Sequence, residues 1–349
     1  MALVNLFSDT QTRPTAEMRA AIAAAEVGDE QLRQDPTVIA LEERVAQLLG
    51  HEAAVFLPSG TMCNEIAIRV HIRPGGDELF LGRGTHPLVA EGGGPAQLSG
   101  AIVTVIDGDA GMFTGEALTA ALDAAGPGGR YGPRPRLVCV EQTTNLGGGR
   151  VWPLERMRGV LDVARARGMV THLDGARLMN AVVAGGVSAA DWASPFDSAW
   201  LDLTKGLGAP VGAVLAGSGA FIEEAWRWKQ MLGGALRQSG IVAAAGLYAL
   251  DHHVERLADD HARARRLAEG LAELDGVDLD PSLVETNIVI FSVDDAAGFC
   301  AALAAEDVAM SQFGPHRVRA VTHLDVDDEG IDRALAAAAR AGAGSPASR

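Results

Sequence analysis

Lys205 closes an apolar run, Phe196-Asp197-Ser198-Ala199-Trp200-Leu201-Asp202-Leu203, and is followed at once by Gly206 and Gly208. That pattern reads as a buried strand that delivers a lysine to a tight mouth where a ligand can come close. Burial disfavours the ammonium form, and a neutral amine attacks a carbonyl to form a Schiff base. A solvated lysine at a strand-to-loop corner is the plain alternative, so the neighbours must decide. Upstream, Ala53-Ala54-Val55-Phe56-Leu57 runs through Pro58 into Ser59-Gly60-Thr61 and a helical pattern from Met62 to Ile72. Free N–H groups and the positive end of the helix dipole make such a junction a phosphate site. Gly60 permits close approach, and Ser59 and Thr61 add hydroxyls; an ordinary N-cap is the simpler use of the same residues. Asp174 follows another strand in Thr171-His172-Leu173-Asp174-Gly175-Ala176-Arg177. A carboxylate there can hold a protonated ring nitrogen, or it can cap the next helix. His86, in a glycine-rich loop, offers a flat ring that could stack on a planar ligand. Arg237 and Arg319 lie in less charged surroundings than most arginines of the chain. They suit a phosphate or carboxylate, with an internal salt bridge as the alternative.

Together these are a phosphate loop, a stacking ring, an anion for a ring nitrogen and an imine-forming lysine. They are the parts that hold pyridoxal 5'-phosphate, an electron sink for a carbanion. The elements around them explain how they meet. Short apolar strands at 78–81, 101–106, 137–140, 169–173, 198–201 and 212–216 alternate with helical patterns near 115–125 and 153–167. That alternation predicts a mostly parallel central sheet with helices on both faces. Ligands bind outside the carboxyl ends of such strands, where Ser59-Gly60-Thr61, His86, Glu141, Asp174 and Lys205 all fall. Long helical patterns fill 219–272, broken at Gly233-Gly234. Beyond residue 250 a charged helix leads into short strands and a further helix. The expected division is a large domain at 1–250, a smaller C-terminal α+β domain at 251–340 and a frayed tail at 341–349.

Competing motifs are missing. No G-x-G-x-x-G follows the first strand, and the triplets Gly92-Gly93-Gly94 and Gly147-Gly148-Gly149 are not expected to open helices. Walker, H-E-x-x-H, paired-cysteine and Gly-x-Ser-x-Gly patterns are likewise missing, and no metal is expected. The net charge of -16 disfavours nucleic acid and anionic membrane as partners. No apolar run approaches the length that spans a bilayer, and the N-terminus does not read as a signal peptide. Three cysteines, Cys63, Cys139 and Cys300, read as reduced thiols. A cytoplasmic protein is expected.

The sequence resembles the low-specificity L-threonine aldolases, fold-type I pyridoxal-phosphate enzymes of the β-eliminating lyase superfamily. The likeness runs from about Phe7 to Asp325. It is carried by Ser8-Asp9-Thr10-Gln11-Thr12-Arg13-Pro14, Asp35-Pro36-Thr37-Val38, Phe56-Leu57-Pro58-Ser59-Gly60-Thr61, His86 with Glu91-Gly92-Gly93, and Asp174-Gly175-Ala176-Arg177. It continues through Lys205-Gly206-Leu207-Gly208-Ala209-Pro210-Val211-Gly212, Arg237-Gln238-Ser239-Gly240 and Val321-Thr322-His323-Leu324-Asp325. The resemblance implies that Lys205 carries the cofactor, Asp174 holds its ring nitrogen and His86 stacks on the ring. Gly60, Thr61 and Arg237 would bind phosphate, with Arg237 reaching in from a neighbouring subunit, since family members are homotetramers. Ser8, Arg177 and Arg319 would hold the amino-acid carboxylate, with Arg177 also lining the cofactor site. Glu91 stands where the family has an acidic group considered in proton transfer. The chain departs from the family in two places. Thr144 occupies the block Glu141-Gln142-Thr143-Thr144-Asn145, where relatives show a histidine facing the substrate hydroxyl. Leu32-Arg33-Gln34 replaces their Tyr-Gly-Asp.

The expectation is a pyridoxal-phosphate aldolase that cleaves L-β-hydroxy-α-amino acids, threonine-like or bulkier, to glycine and an aldehyde. It would act as a homotetramer or dimer with shared sites. β-Elimination, racemisation or transaldol transfer on the same cofactor is the alternative that Thr144 motivates. A non-catalytic binding protein, which would take up no cofactor, is the third reading.

Overall fold

The computed structural model describes residues 2–125 and 129–343. Among the described residues twelve strands appear in chain order: β1 (Val4–Asn5), β2 (Ala53–Leu57), β3 (Asp77–Gly82), β4 (Ile102–Ile106), β5 (Arg134–Glu141), β6 (Val170–Asp174), β7 (Ser198–Asp202), β8 (Ala213–Gly217), β9 (Ile288–Ser292), β10 (Val308–Ala309), β11 (Ser311–Gln312) and β12 (Arg317–Val321). Seven of them form the main sheet in the order β2-β8-β7-β6-β5-β3-β4. Only β8 runs against its neighbours. The architecture is therefore the expected one, a mostly parallel central sheet with helices on both faces.

Burial explains the strand composition. β7, β8 and β3 are buried along their whole length, so apolar residues point both ways and no polar alternation is needed. On one face the helices Pro36–Leu49 and Leu154–Ala166 contribute Leu41, Val45, Val160 and Leu161 to the largest apolar cluster. The helices Gly60–His71 and Gly219–Met231 cover the opposite face through Ile66, Phe221 and Ile222. Helix starts follow the side-chain signals: Asp35 accepts from the Val38 amide, and the helix it opens ends at Gly50 in the left-handed region (φ 72°).

A separate apolar cluster unites Leu267, Phe291, Leu303, Val318 and Ile331 over the three-stranded sheet β11-β12-β9. Val4 and Leu6 belong to this cluster, and β1 pairs in parallel with β10. The first strand thus sits with the C-terminal elements rather than with the rest of residues 1–250. The final helix reaches Ala343, inside the expected tail, and residues 344–349 lie outside the described residues. A second expectation is corrected at Gly94: with Gly93 as its cap (φ 79°), Gly94 opens the helix Gly94–Ser99. Among the described residues no helix is long and apolar enough to cross a membrane.

Candidate active site

The carboxyl ends of β2, β3, β5, β6 and β7 deliver Ser59, His86, Glu141, Asp174 and Lys205 to one edge of the sheet. Lys205 adopts φ 47°, a left-handed conformation uncommon for a residue with a side chain, and starts a single turn that ends at Gly208. Its ammonium lies 3.1 Å from Asp202 Oδ2 and 5.7 Å from the centre of the Trp200 ring. The same indole lies against the phosphate-loop candidate. A Cβ at position 60 would stand 2.2 Å from Trp200, so only glycine fits there. Ser59 caps the helix Gly60–His71 by accepting from the Met62 amide at 3.2 Å. The amides of Gly60 and Thr61, which head that helix, have no acceptor within it.

Asp174 is buried, yet it does not cap the following helix. Its Oδ1 accepts from the Ala176 amide at 3.0 Å and its Oδ2 from Asn64 Nδ2 at 2.8 Å. Burial raises its pKa, and nearby Glu141 raises it further. His86 begins a one-turn helix rather than lying in open loop. Its amide donates to Glu141 Oε2 at 2.8 Å, and its Nδ1 is 2.7 Å from Glu91 Oε1. The Glu91 contact raises the imidazole pKa. Glu91 also accepts from Asn64 at 2.8 Å. Beside it, burial and then Glu91 raise the Glu65 pKa.

A second group gathers around Arg177. Its guanidinium makes a two-pronged ion pair with Asp9, Nε to Oδ2 at 2.8 Å and Nη2 to Oδ1 at 2.7 Å, both side chains buried. Burial alone would raise the Asp9 pKa, but Arg177 holds it far below the usual carboxylate range. Asn145 Oδ1 accepts from Arg319 at 3.1 Å and from Arg177 at 3.4 Å. Arg319 Nε is buried without a partner, and no carboxylate meets its guanidinium among the described residues. Burial and then Arg177 lower the Arg319 pKa. Ser8 is buried next to Asp9 and accepts from the Thr10 amide at 3.2 Å.

Two expected members have other partners here. Arg237 is exposed and meets Asp29 Oδ2 at 3.1 Å. Thr144 is buried, but its hydroxyl turns to the Arg150 carbonyl at 3.4 Å, and its neighbour Asn145 supplies the polar atom to the site. A cavity of about 180 Å³ lies alongside, lined by Thr85, Glu141, Thr144, Asn145, Leu146 and Trp152 among others. Sequence reasoning missed Asn64, Glu65 and the partnership of Asp9 with Arg177. The one local hint was a pair of polar residues, Asn64-Glu65, inside a helix face otherwise made of Cys63, Ile66, Ala67 and Ile68.

A sequence profile described as "Beta-eliminating lyase" matches residues 5–296. Low-specificity L-threonine aldolase 1 of Arabidopsis thaliana is 39% identical over 341 residues, covering 96% of this chain and 95% of that one. Low specificity L-threonine aldolase of Escherichia coli K12 is 39% identical over 333 residues, covering 94% and 96%. The solved structure of Leishmania major threonine aldolase superposes with a TM-score of 0.83 at 19% identity, over 96% of this chain and 98% of that one. The chain belongs to the beta-eliminating lyase family.

Proposed function

We propose that this protein is a pyridoxal-phosphate-dependent lyase that cleaves L-β-hydroxy-α-amino acids, threonine-like or bulkier, into glycine and an aldehyde. The reading rests on one observation above all: Lys205, Asp174 and His86 converge at the carboxyl edge of the sheet in a chain about 40% identical to low-specificity L-threonine aldolases. The residues fit the cofactor chemically. Gly60 is a position that a Cβ would close, two helix-heading amides await an anion, and a buried carboxylate awaits a cation.

When bound, pyridoxal phosphate supplies an electron sink for the carbanion left when the Cα–Cβ bond breaks. Lys205 would tether it through the ε-amine. Ser59, Gly60 and Thr61 would hold its phosphate, and Asp174 its ring nitrogen. His86 would cover the ring face, leaving Nε2, the nitrogen not engaged by Glu91, to take or return a proton. Arg319, Arg177 and Ser8 would receive the substrate carboxylate. Arg319 has the free donor, while Arg177 is already steered by Asp9. The cavity beside Thr144 would admit the substrate side chain. Arg237, exposed on its own chain, would serve a second copy's phosphate within a homotetramer or dimer. Buried free thiols at Cys63 and Cys139 suit a reducing compartment, the cytoplasm.

Thr144 carries no titratable group, which favours as second reading a neighbouring reaction on the same cofactor: β-elimination, racemisation or aldol transfer. The deciding experiment is a panel of L-threo and L-allo β-hydroxy amino acids. Glycine plus aldehyde is the expected outcome. Ammonia and a keto acid, with no glycine, would overturn the aldolase reading.

A further inference from the structure

Behind Asp174 runs a string of buried polar side chains that the roles above do not use. Asn64, on the helix Gly60–His71, is fully buried at its centre. The hydrogen-bond directions follow from donor chemistry alone. An indole nitrogen can only donate, so Trp200 Nε1, 2.7 Å from Asn64 Oδ1, identifies that atom as the amide oxygen. The amide hydrogens therefore point to Asp174 Oδ2 and Glu91 Oε1, each at 2.8 Å. His172 Nε2 lies 3.2 Å from the same Oδ1 and must carry a hydrogen. Burial lowers the His172 pKa to about 3 and the His71 pKa to about 4, so both rings are neutral. With one N–H per ring, His172 Nδ1 accepts from the Ser198 hydroxyl at 2.8 Å. Ser198 Oγ in turn accepts from His71 Nε2 at 2.8 Å. Every donor in the string points the same way, toward Asp174 and Glu91.

We propose that His71, Ser198, His172 and Asn64 form a one-way hydrogen-bond string whose last member, Asn64, is a positioning residue that keeps Asp174 an ionised acceptor for a protonated ring nitrogen and, through Glu91, fixes the His86 ring. Aligned hydrogen bonds polarise one another, which strengthens the last donor at the carboxylates. The need for that donor is plain from the charges facing Asp174. Glu141 at the end of β5 and Glu91 after the His86 turn push its proton on, and Lys205 opposes them. Asn64 also lies on the helix whose first amides would grip the phosphate. One rigid element would thus carry both the phosphate contact and the support for the ring nitrogen.

This inference rests on the pyridoxal-phosphate reading, and the test separates the two. Binding of pyridoxal phosphate and of 1-deazapyridoxal phosphate, which has C–H in place of the ring nitrogen, is measured for wild type and for Asn64→Leu. The variant should lose about tenfold in affinity for pyridoxal phosphate, the scale of one hydrogen bond to a charged group, and less than about threefold for the analogue. The visible absorption of the bound natural cofactor should also change its pH dependence. Equal loss for both ligands marks a merely structural role and overturns the proposal, as does no loss for either. Should Asn64→Leu fail to fold, Ser198→Ala, a change of one hydroxyl, carries the same contrast at about threefold. A wild-type protein that binds neither ligand overturns the cofactor reading itself, and the string's role with it.

Discussion

The two buried clusters at the sheet edge are charged in opposite senses. Around Asp174 lie Glu91, Glu141 and Glu65, with Lys205 and His86 as the groups that can oppose them. Around Asp9 lie two guanidiniums, Arg177 and Arg319, against a single carboxylate. Neither cluster is neutralised from within. The first is short of positive charge and answers by raised carboxyl pKa values; the second is short of negative charge and answers by a lowered Arg319 pKa and an unpartnered Nε. An uncompensated buried charge is costly to a protein that has no use for it. The imbalance makes sense if a ligand completes both halves, with a protonated ring nitrogen at one and a carboxylate at the other.

The largest expected effect removes the cation shared by both halves. Lys205→Ala should lower turnover by roughly 10⁴-fold while weak cofactor binding persists, and borohydride should no longer fix cofactor to the chain. Unchanged turnover would contradict the assignment. Next, Asp9→Asn breaks the one internally paired member of the cationic half. The cost of orphaning a buried guanidinium is about 3–5 kcal/mol, read as a fall in denaturation midpoint. Because the Asp9 pKa is depressed on folding, its stabilisation is present above the unfolded value and is lost as pH falls through the folded one. The variant should therefore show a shallower acid limb than wild type. A smaller effect belongs to Arg319→Leu. It should reduce kcat/KM by about 10- to 100-fold, mostly through KM, with little change in stability because no carboxylate is left unpaired. A variant that loses stability instead would show Arg319 to be structural.

The smallest effect tests the acidic half without ligand. The Asp174 pKa is raised on folding, to about 7, by burial and then Glu141. The folded apoprotein therefore binds that proton more tightly than the unfolded chain, and its stability falls as pH rises from about 4 through 7. Asp174→Asn removes this decline, so the apo variant should be more stable than wild type at pH 7.5, by about 1 kcal/mol, while losing cofactor affinity. Melting curves of cofactor-free protein across that pH range measure it. Equal slopes for the two proteins would mean that the carboxylate is not strained.

The parallel sheet and the residues at its carboxyl ends were legible in the sequence because both follow from local pattern. An apolar run followed by a glycine turn says where a strand stops, and in this class the stop is where chemistry sits. Lys205, Asp174 and Ser59-Gly60-Thr61 were placed at strand ends that way. Asn64 was missed, because a polar residue in a helix reads as solvent-facing until the tertiary packing shows that it is enclosed. Asp9 likewise reads as loop, and its partner Arg177 lies 168 residues away. The Gly94 helix was missed because a glycine triplet has poor helix propensity, overridden here by Gly93 in the left-handed region as the cap.

By itself, then, the sequence determined the alternation of strands and helices in the main sheet and the edge of that sheet at which Ser59, Asp174 and Lys205 fall. Those properties depend on periodicity and on backbone preferences that act over a few residues. Only the tertiary structure decided the charge balance. The Asp9–Arg177 pair, the tilt of Asn64 toward Asp174 and Glu91, and the turn of the Thr144 hydroxyl toward Arg150 join residues far apart in the chain or rest on their buried surroundings. Electrostatic energies depend on distance and burial, and neither quantity exists until the chain has folded.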